Sequence, residues 1–174
     1  LPDTMRKPLE TCNYSSTYMY ALCTSKKLTP DKTLAITFKR IDDPKLSVIF
    51  EVGGHVKGTQ PEGSSVIQAY TAGWHDAYWS KFSPEEREKA VIKEVQKYLP
   101  GMPNKPEVVE TVRWDRAVNE EGPGQFNAIH KLVRNHMNDV KGLHLAGEYL
   151  FLIACTEGAF ATGEAAAKAV ISEL

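Results

Sequence analysis

The stretch Leu143-His144-Leu145-Ala146-Gly147-Glu148, followed after eight residues by Glu157-Gly158-Ala159-Phe160-Ala161-Thr162-Gly163-Glu164-Ala165-Ala166-Ala167, decides how this sequence is read. Its first part predicts a short strand over Gly142 to Tyr149 that ends at a glycine and a carboxylate. Its second part predicts a closing helix from about Glu157 to Glu173, with small residues on several faces of its first turns. Gly147 removes a side chain where another group can approach the backbone. Glu148 puts an acceptor at the strand's end, suited to ligand hydroxyls. The helix start at Gly158-Ala159 offers free amides and a partial positive charge, suited to an anionic group. Ala159, Gly163, Ala166 and Val170 share one side of the helix and would permit close helix packing. The structural alternative is a tightly packed alanine-rich helix with no ligand.

Upstream, the pattern is mostly sheet. Tyr14 to Cys23, Thr33 to Lys39, Leu46 to Val52 and Ser65 to Thr71 are rich in β-branched and aromatic residues, with short polar connections such as Asp42-Asp43-Pro44 between them. Such spacing predicts a largely antiparallel sheet. Ser83-Pro84-Glu85-Glu86 then predicts a helix start, with Ser83 as N-cap, Pro84 at the first position and Glu86 closing a capping box. Leu99-Pro100-Gly101 stops that helix. Val108 to Trp114 alternates as a fifth strand. Gly122-Pro123-Gly124 breaks the chain before a helix from Gln125 to about Met137. The class expected is α+β.

Composition narrows the function classes. The chain has 174 residues and a net charge of −1, enough for one compact domain and without the charge excess that marks nucleic-acid or anionic-membrane partners. No apolar run approaches the roughly 20 residues that span a bilayer. Three cysteines, Cys12, Cys23 and Cys155, form no CxxC pair; reduced thiols and a cytoplasmic location are the expectation. His55, His75, His130, His136 and His144 lack ligand spacing, so no metal is expected.

The two-part segment is similar to the C-terminal flavin motif of the amine oxidase, protoporphyrinogen oxidase and phytoene desaturase superfamily. There a hydrophobic strand leads to Ala-Gly-Glu, then a loop, then Glu-Gly-Ala-x-x-Ser/Thr-Gly-x-x-Ala-Ala. The earlier segments CNYSSTYMYAL, SVIQAYTAGWHDAYW, SPEEREKAVIKEVQKYLP and VVETVRWDRAV resemble successive pieces of the family's substrate domain in the same order. The resemblance implies that Gly147 and Glu148 lie near the ribityl and phosphate part of FAD. It implies likewise that Glu157, Gly158, Ala159 and Thr162 belong to the helix start facing the flavin's pyrimidine edge, where the dipole steadies negative charge on the reduced ring. Residues 1–140 would form a substrate-binding part, and residues 141–174 a strand–helix piece of an FAD domain.

The departures are specific. No Gly-x-Gly-x-x-Gly turn is present to hold the FAD pyrophosphate, and family members are more than twice this length. Together with a first residue that is not methionine, this leads us to expect a missing upstream half, and inactivity of the chain alone. Val118-Asn119-Glu120-Glu121 intervenes where members often carry a proline. No catalytic acid or base is identified. Arg113 and Trp114 are candidate cavity residues, and Tyr149 and Phe151 candidate aromatic walls. The partners implied are an apolar or amine substrate and either a complementary N-terminal chain or a second copy. The alternative function is a non-catalytic module holding an apolar ligand or partner.

Overall fold

The computed structural model describes residues 1–30, 32–54, 56, 58–120, 122–151 and 155–174. His55, Glu121 and residues 152–154, within the connection between the two motif parts, lie outside the described residues. The elements run α1 (Asp3–Glu10), β1 (Asn13–Thr24), β2 (Ala35–Thr37), β3 (Leu46–Glu51), β4 (Ser65–Thr71), α2 (Asp76–Trp79), α3 (Pro84–Tyr98), β5 (Val108–Glu120), α4 (Gln125–Asn135) and α5 (Thr156–Glu173). The five strands form one sheet in the order β2-β3-β4-β1-β5, and the pairs β1–β4, β2–β3 and β3–β4 are antiparallel. This is the α+β fold that the strand spacing predicts.

The chain divides into two compact units. One comprises residues 16–115, the other residues 1–15 with 116–174; β1 and β5 each carry the chain across the division. In the unit of residues 16–115, alternation puts Tyr18, Tyr20 and Leu22 of β1 and Ile67 and Ala69 of β4 on one sheet face, where they bury with Trp79 of α2 and Val91, Ile92 and Val95 of α3. Helix α3 begins with the capping box read from Ser83-Pro84-Glu85-Glu86: the Glu86 amide donates to Ser83 Oγ and the Ser83 amide to Glu86 Oε2. Trp79 donates from Nε1 to the Lys45 carbonyl at 2.9 Å, so its buried indole leaves no donor unsatisfied. The Tyr18 ring is flanked by the guanidinium groups of Arg87 and Arg113, at 4.1 and 4.5 Å from its centre. Glu51 is buried but accepts from Thr29 Oγ1 and Ser65 Oγ, both at 2.8 Å, as a carboxylate removed from water requires.

The other unit has a smaller core. Met5 of α1 packs with Ile129 and Leu132 of α4, and Leu9, Met137, Leu143, Leu145 and Leu150 close around them. Helix α1 is not foreshadowed by its sequence, since Pro8 stands inside it. It is held by burial of Met5 and by Arg6, which pairs with both Asp3 and Glu10. Strand β5 continues past Trp114 to Glu120, and β2 is shorter than expected. The strand expected over Gly142–Tyr149 is not formed. The only described sheet does not include it, and a segment without a neighbouring strand has no ladder to complete. It ends instead in a single 3-10 turn, Glu148–Leu150.

Candidate functional site

The two motif parts meet at Gly147. Its φ of 147° and ψ of 158° are conformations that a side chain disfavours, and a Cβ there would run into the Tyr149 ring. The Gly147 amide donates to Thr162 Oγ1 at 3.0 Å. The same hydroxyl stands 3.2 Å from the Gly147 carbonyl and reaches back to the Gly158 carbonyl at 2.8 Å. Thr162 therefore ties the turn that carries Glu148 to the first turns of α5. Of the six residues singled out by sequence, Gly147, Gly158 and Thr162 are thus joined in one arrangement, with Glu148 adjoining it.

Gly158 is the buried residue of α5. A Cβ there would lie 2.8 Å from Phe151 Cβ and 3.0 Å from Phe151 Cγ, so glycine lets the chain before the helix press against its first turn. Glu157 and Ala159 point to the exposed side. The N-cap residue Cys155 makes no side-chain cap hydrogen bond, while its carbonyl accepts from the Ala159 amide at 3.2 Å. Helix starts leave their earlier amides to be satisfied from outside, so this donor set fits an anionic or electron-rich ring edge. Further along the helix, Gly163 has no neighbour within 4 Å of where a Cβ would stand, and Val170 is 45% exposed. The small-residue stripe is therefore open.

Glu148 has a neighbour that the sequence did not indicate. The Tyr14 hydroxyl at the start of β1 hydrogen-bonds to its carboxylate, and burial together with that bond pushes the Tyr14 phenol up to about 12. Burial, then the Glu148 charge, raises the Cys12 thiol; burial, then Cys12 and Glu148, raises the Tyr149 phenol. A carboxylate has about four acceptor positions, so one phenol leaves room for ligand hydroxyls. Tyr14 could be found only through the fold, because nothing in its local sequence points to Glu148.

Beside α5 lies a cavity of about 320 Å³ lined by Met137, His144, Leu145, Phe151, Thr162 and Ala165, among others. His144 Nε2 is 3.2 Å from a Glu173 carboxylate oxygen but finds no hydrogen-bond alignment there or elsewhere among the described residues. Tyr149 and Phe151 border a second recess of about 80 Å³ with Phe126 and His130. Arg113 is engaged on the helix-covered side of its sheet, bonded to Asp76 at 2.9 Å and Asp115 at 2.7 Å. Among the described residues no group of three or more His, Cys, Asp or Glu side chains is placed to hold a metal, and no helix is long and apolar enough to cross a membrane.

The flavin containing amine oxidoreductase family model matches residues 1–171, and the chain belongs to that family. Its fold is similar to cyclohexylamine oxidase from Brevibacterium oxydans IH-35A, at 19% identity and a TM-score of 0.74 over 99% of this chain and 38% of that one. It is also similar to a protein described as a protoporphyrinogen oxidase from Exiguobacterium sp. 255-15, at 17% identity and a TM-score of 0.69 over 97% and 38% of the two chains. A wild-type putrescine oxidase bound to putrescine matches at 12% identity and a TM-score of 0.62, over 99% and 38%. The chain thus spans about 38% of the length of these structures. No curated protein matches.

Proposed function

We propose that this chain is the substrate-side part of an FAD-dependent oxidoreductase and is inactive without a dinucleotide-binding half. The observation that carries this reading is the Thr162 tether, which holds the Gly147–Glu148 turn against the uncapped start of α5. FAD, when bound, supplies hydride acceptance from a C–N or C–C bond. Glu148 would accept hydrogen bonds from the cofactor's ribityl or ribose hydroxyls, with Tyr14 fixing its carboxylate. The amides of Glu157 and Gly158 would face the ring edge and favour its negative charge on reduction. Thr162 and Gly147 act by positioning.

Residues 1–140 would serve the substrate and residues 141–174 the cofactor; this functional division cuts across the two compact units. The unpaired segment at Gly142–Tyr149 would find its sheet partner in the complementary half. An intracellular, reduced setting accords with three free cysteines.

The test is Ala159→Asp in the longer chain that carries both halves. Ala159 is exposed, and a carboxylate near a helix start favours the helix. The expected result is a melting temperature equal to or slightly above that of the FAD-free wild type, together with loss of bound FAD. Full FAD retention at wild-type affinity would overturn the placement of the cofactor at this helix.

A further inference from the structure

A third cavity, of about 420 Å³, opens between α1 and α4 beside their shared core. Thr4, Lys7, Pro8 and Thr11 line it from one side. Their spacing of three and four puts them on a single face of α1 and its C-terminal cap. Met5 and Leu9, which pack with Ile129 and Leu132 of α4, occupy the neighbouring face. From the other side come Ala128 and Lys131 of α4 and His136, which caps that helix. Short side chains leave the space open: one methyl group at Ala128, and threonines and a proline along α1. Its volume falls in the range of small-molecule sites, roughly 300–1,000 Å³.

The lining divides into carbon and positive charge. Pro8 and Ala128 are half-buried and have side chains of carbon alone, and lysine stems extend such a surface. Lys7, Lys131 and His136 line the same space against one carboxylate, Asp3. That carboxylate is already matched. It pairs with Arg6 at 2.7 Å and with Lys7 at 3.0 Å, and these two partners hold its carboxyl below the ordinary carboxylate range. Lys7 retains further donors, since an ammonium has three. Lys131 has no ion pair or hydrogen bond among the described residues. His136 is held in place through Nδ1, 3.0 Å from Asp139 Oδ2, and the same oxygen accepts from Thr4 Oγ1 at 2.5 Å. This clamp ties the end of α4 to α1 and leaves His136 Nε2 without a partner among the described residues.

We infer that this cavity is a binding site for a small organic anion, a carboxylate carried on a ring or a short acyl chain. Lys131 supplies the unpaired cation, with Lys7 and His136 beside it. Pro8 and Ala128 take up the apolar body by area. Neither part suffices alone. Ion pairs open to water are worth little, so an inorganic anion gains little from the cations and leaves the carbon surface wet. An uncharged analogue covers that surface and leaves the cations unmatched. The two together support a dissociation constant on the order of 1 mM. The site stands apart from the flavin assignment, because no residue of 141–174 lines the cavity.

The test uses the full chain of residues 1–174, joined to a dinucleotide-binding half, and needs no turnover. Benzoate, benzyl alcohol and inorganic phosphate are titrated separately while the Ala128 methyl and His136 ring signals are followed by NMR. The expected result is a saturable shift of both signals with benzoate, and clearly weaker binding of the alcohol and of phosphate. Lys131→Gln should weaken benzoate about three- to fivefold, the loss of one solvent-exposed ion pair. Lys7→Gln should weaken it by a smaller factor, since Lys7 is shared with Asp3. Lys93→Gln, on α3, should leave it unchanged and controls for a general loss of positive charge. All three lysines are exposed, so the variants keep the fold. Absence of a saturable shift with benzoate would overturn the inference. So would alcohol or phosphate binding as tight as benzoate, or benzoate binding that Lys131→Gln does not weaken more than Lys93→Gln. FAD content of the same samples is read separately, and either outcome for benzoate leaves the flavin assignment untouched.

Discussion

The unit of residues 16–115 and the unit of residues 1–15 with 116–174 are built to different standards of self-sufficiency. The first buries thirteen hydrophobic residues in one cluster, from Tyr18 to Met102, between a sheet face and two helices. The second buries three, Met5, Ile129 and Leu132, among the described residues. Its longest helix, α5, has Gly158 as its buried residue, while Phe160 and Ile171 are 76% and 71% exposed. Isolated apolar side chains on a surface are ordinary; on α5 they accompany an open stripe of small residues. The size of each core follows from what the unit has to hold. On the function proposed above, the smaller core belongs to the unit that carries residues 141–174, which a complementary half would finish.

The contrast is most exposed to test at Trp79. Trp79→Ala should destabilise the protein by about 3–5 kcal/mol, because it empties a fully buried site and removes the bond to the Lys45 carbonyl; urea unfolding measures it. Gly158→Ala should cost about 1–3 kcal/mol by overpacking against Phe151. With residues 1–174 joined to a dinucleotide-binding half, the proposed function predicts that it also reduces FAD retention, as Trp79→Ala should not at temperatures where both remain folded. Ser83→Ala should cost about 1 kcal/mol through loss of the α3 cap. Ile171→Ala should change the stability of the chain by less than about 0.5 kcal/mol, as an exposed position does, yet weaken association with a complementary half. An equal loss from Ile171 and Trp79 would erase the distinction between the units.

A pH prediction belongs to the smaller unit. The Tyr14 phenol is raised in the folded chain to about 12 from an ordinary value of 10.0. The unfolded chain therefore loses this proton first. Stability from Tyr14 is complete below about pH 10 and falls as pH rises toward 12. Tyr14→Phe should flatten the alkaline decline of the melting temperature over that window.

Much of the fold is legible in the amino-acid order. The Ser83 capping box fixes the start of α3, and the alternation in Ser65–Thr71 fixes a strand whose buried and half-buried residues alternate along its length. The features that are not legible depend on distant partners. Helix α1 is stabilised by Met5 burial against α4 rather than by its own propensity, which Pro8 lowers. The strand expected at Gly142–Tyr149 has the right residues but no neighbour to pair with among the described residues. At the site, glycine, carboxylate and threonine are visible as a motif, whereas the Tyr14–Glu148 bond requires the fold to bring together opposite ends of the chain.

The flavin content of a protein in which residues 1–174 are joined to a dinucleotide-binding half bears most directly on the proposed cofactor assignment. We predict equimolar FAD after gel filtration, lost on Ala159→Asp while the protein stays folded. A folded, colourless protein that takes up no added FAD would contradict the assignment of Gly147, Glu148 and the start of α5 to a cofactor site.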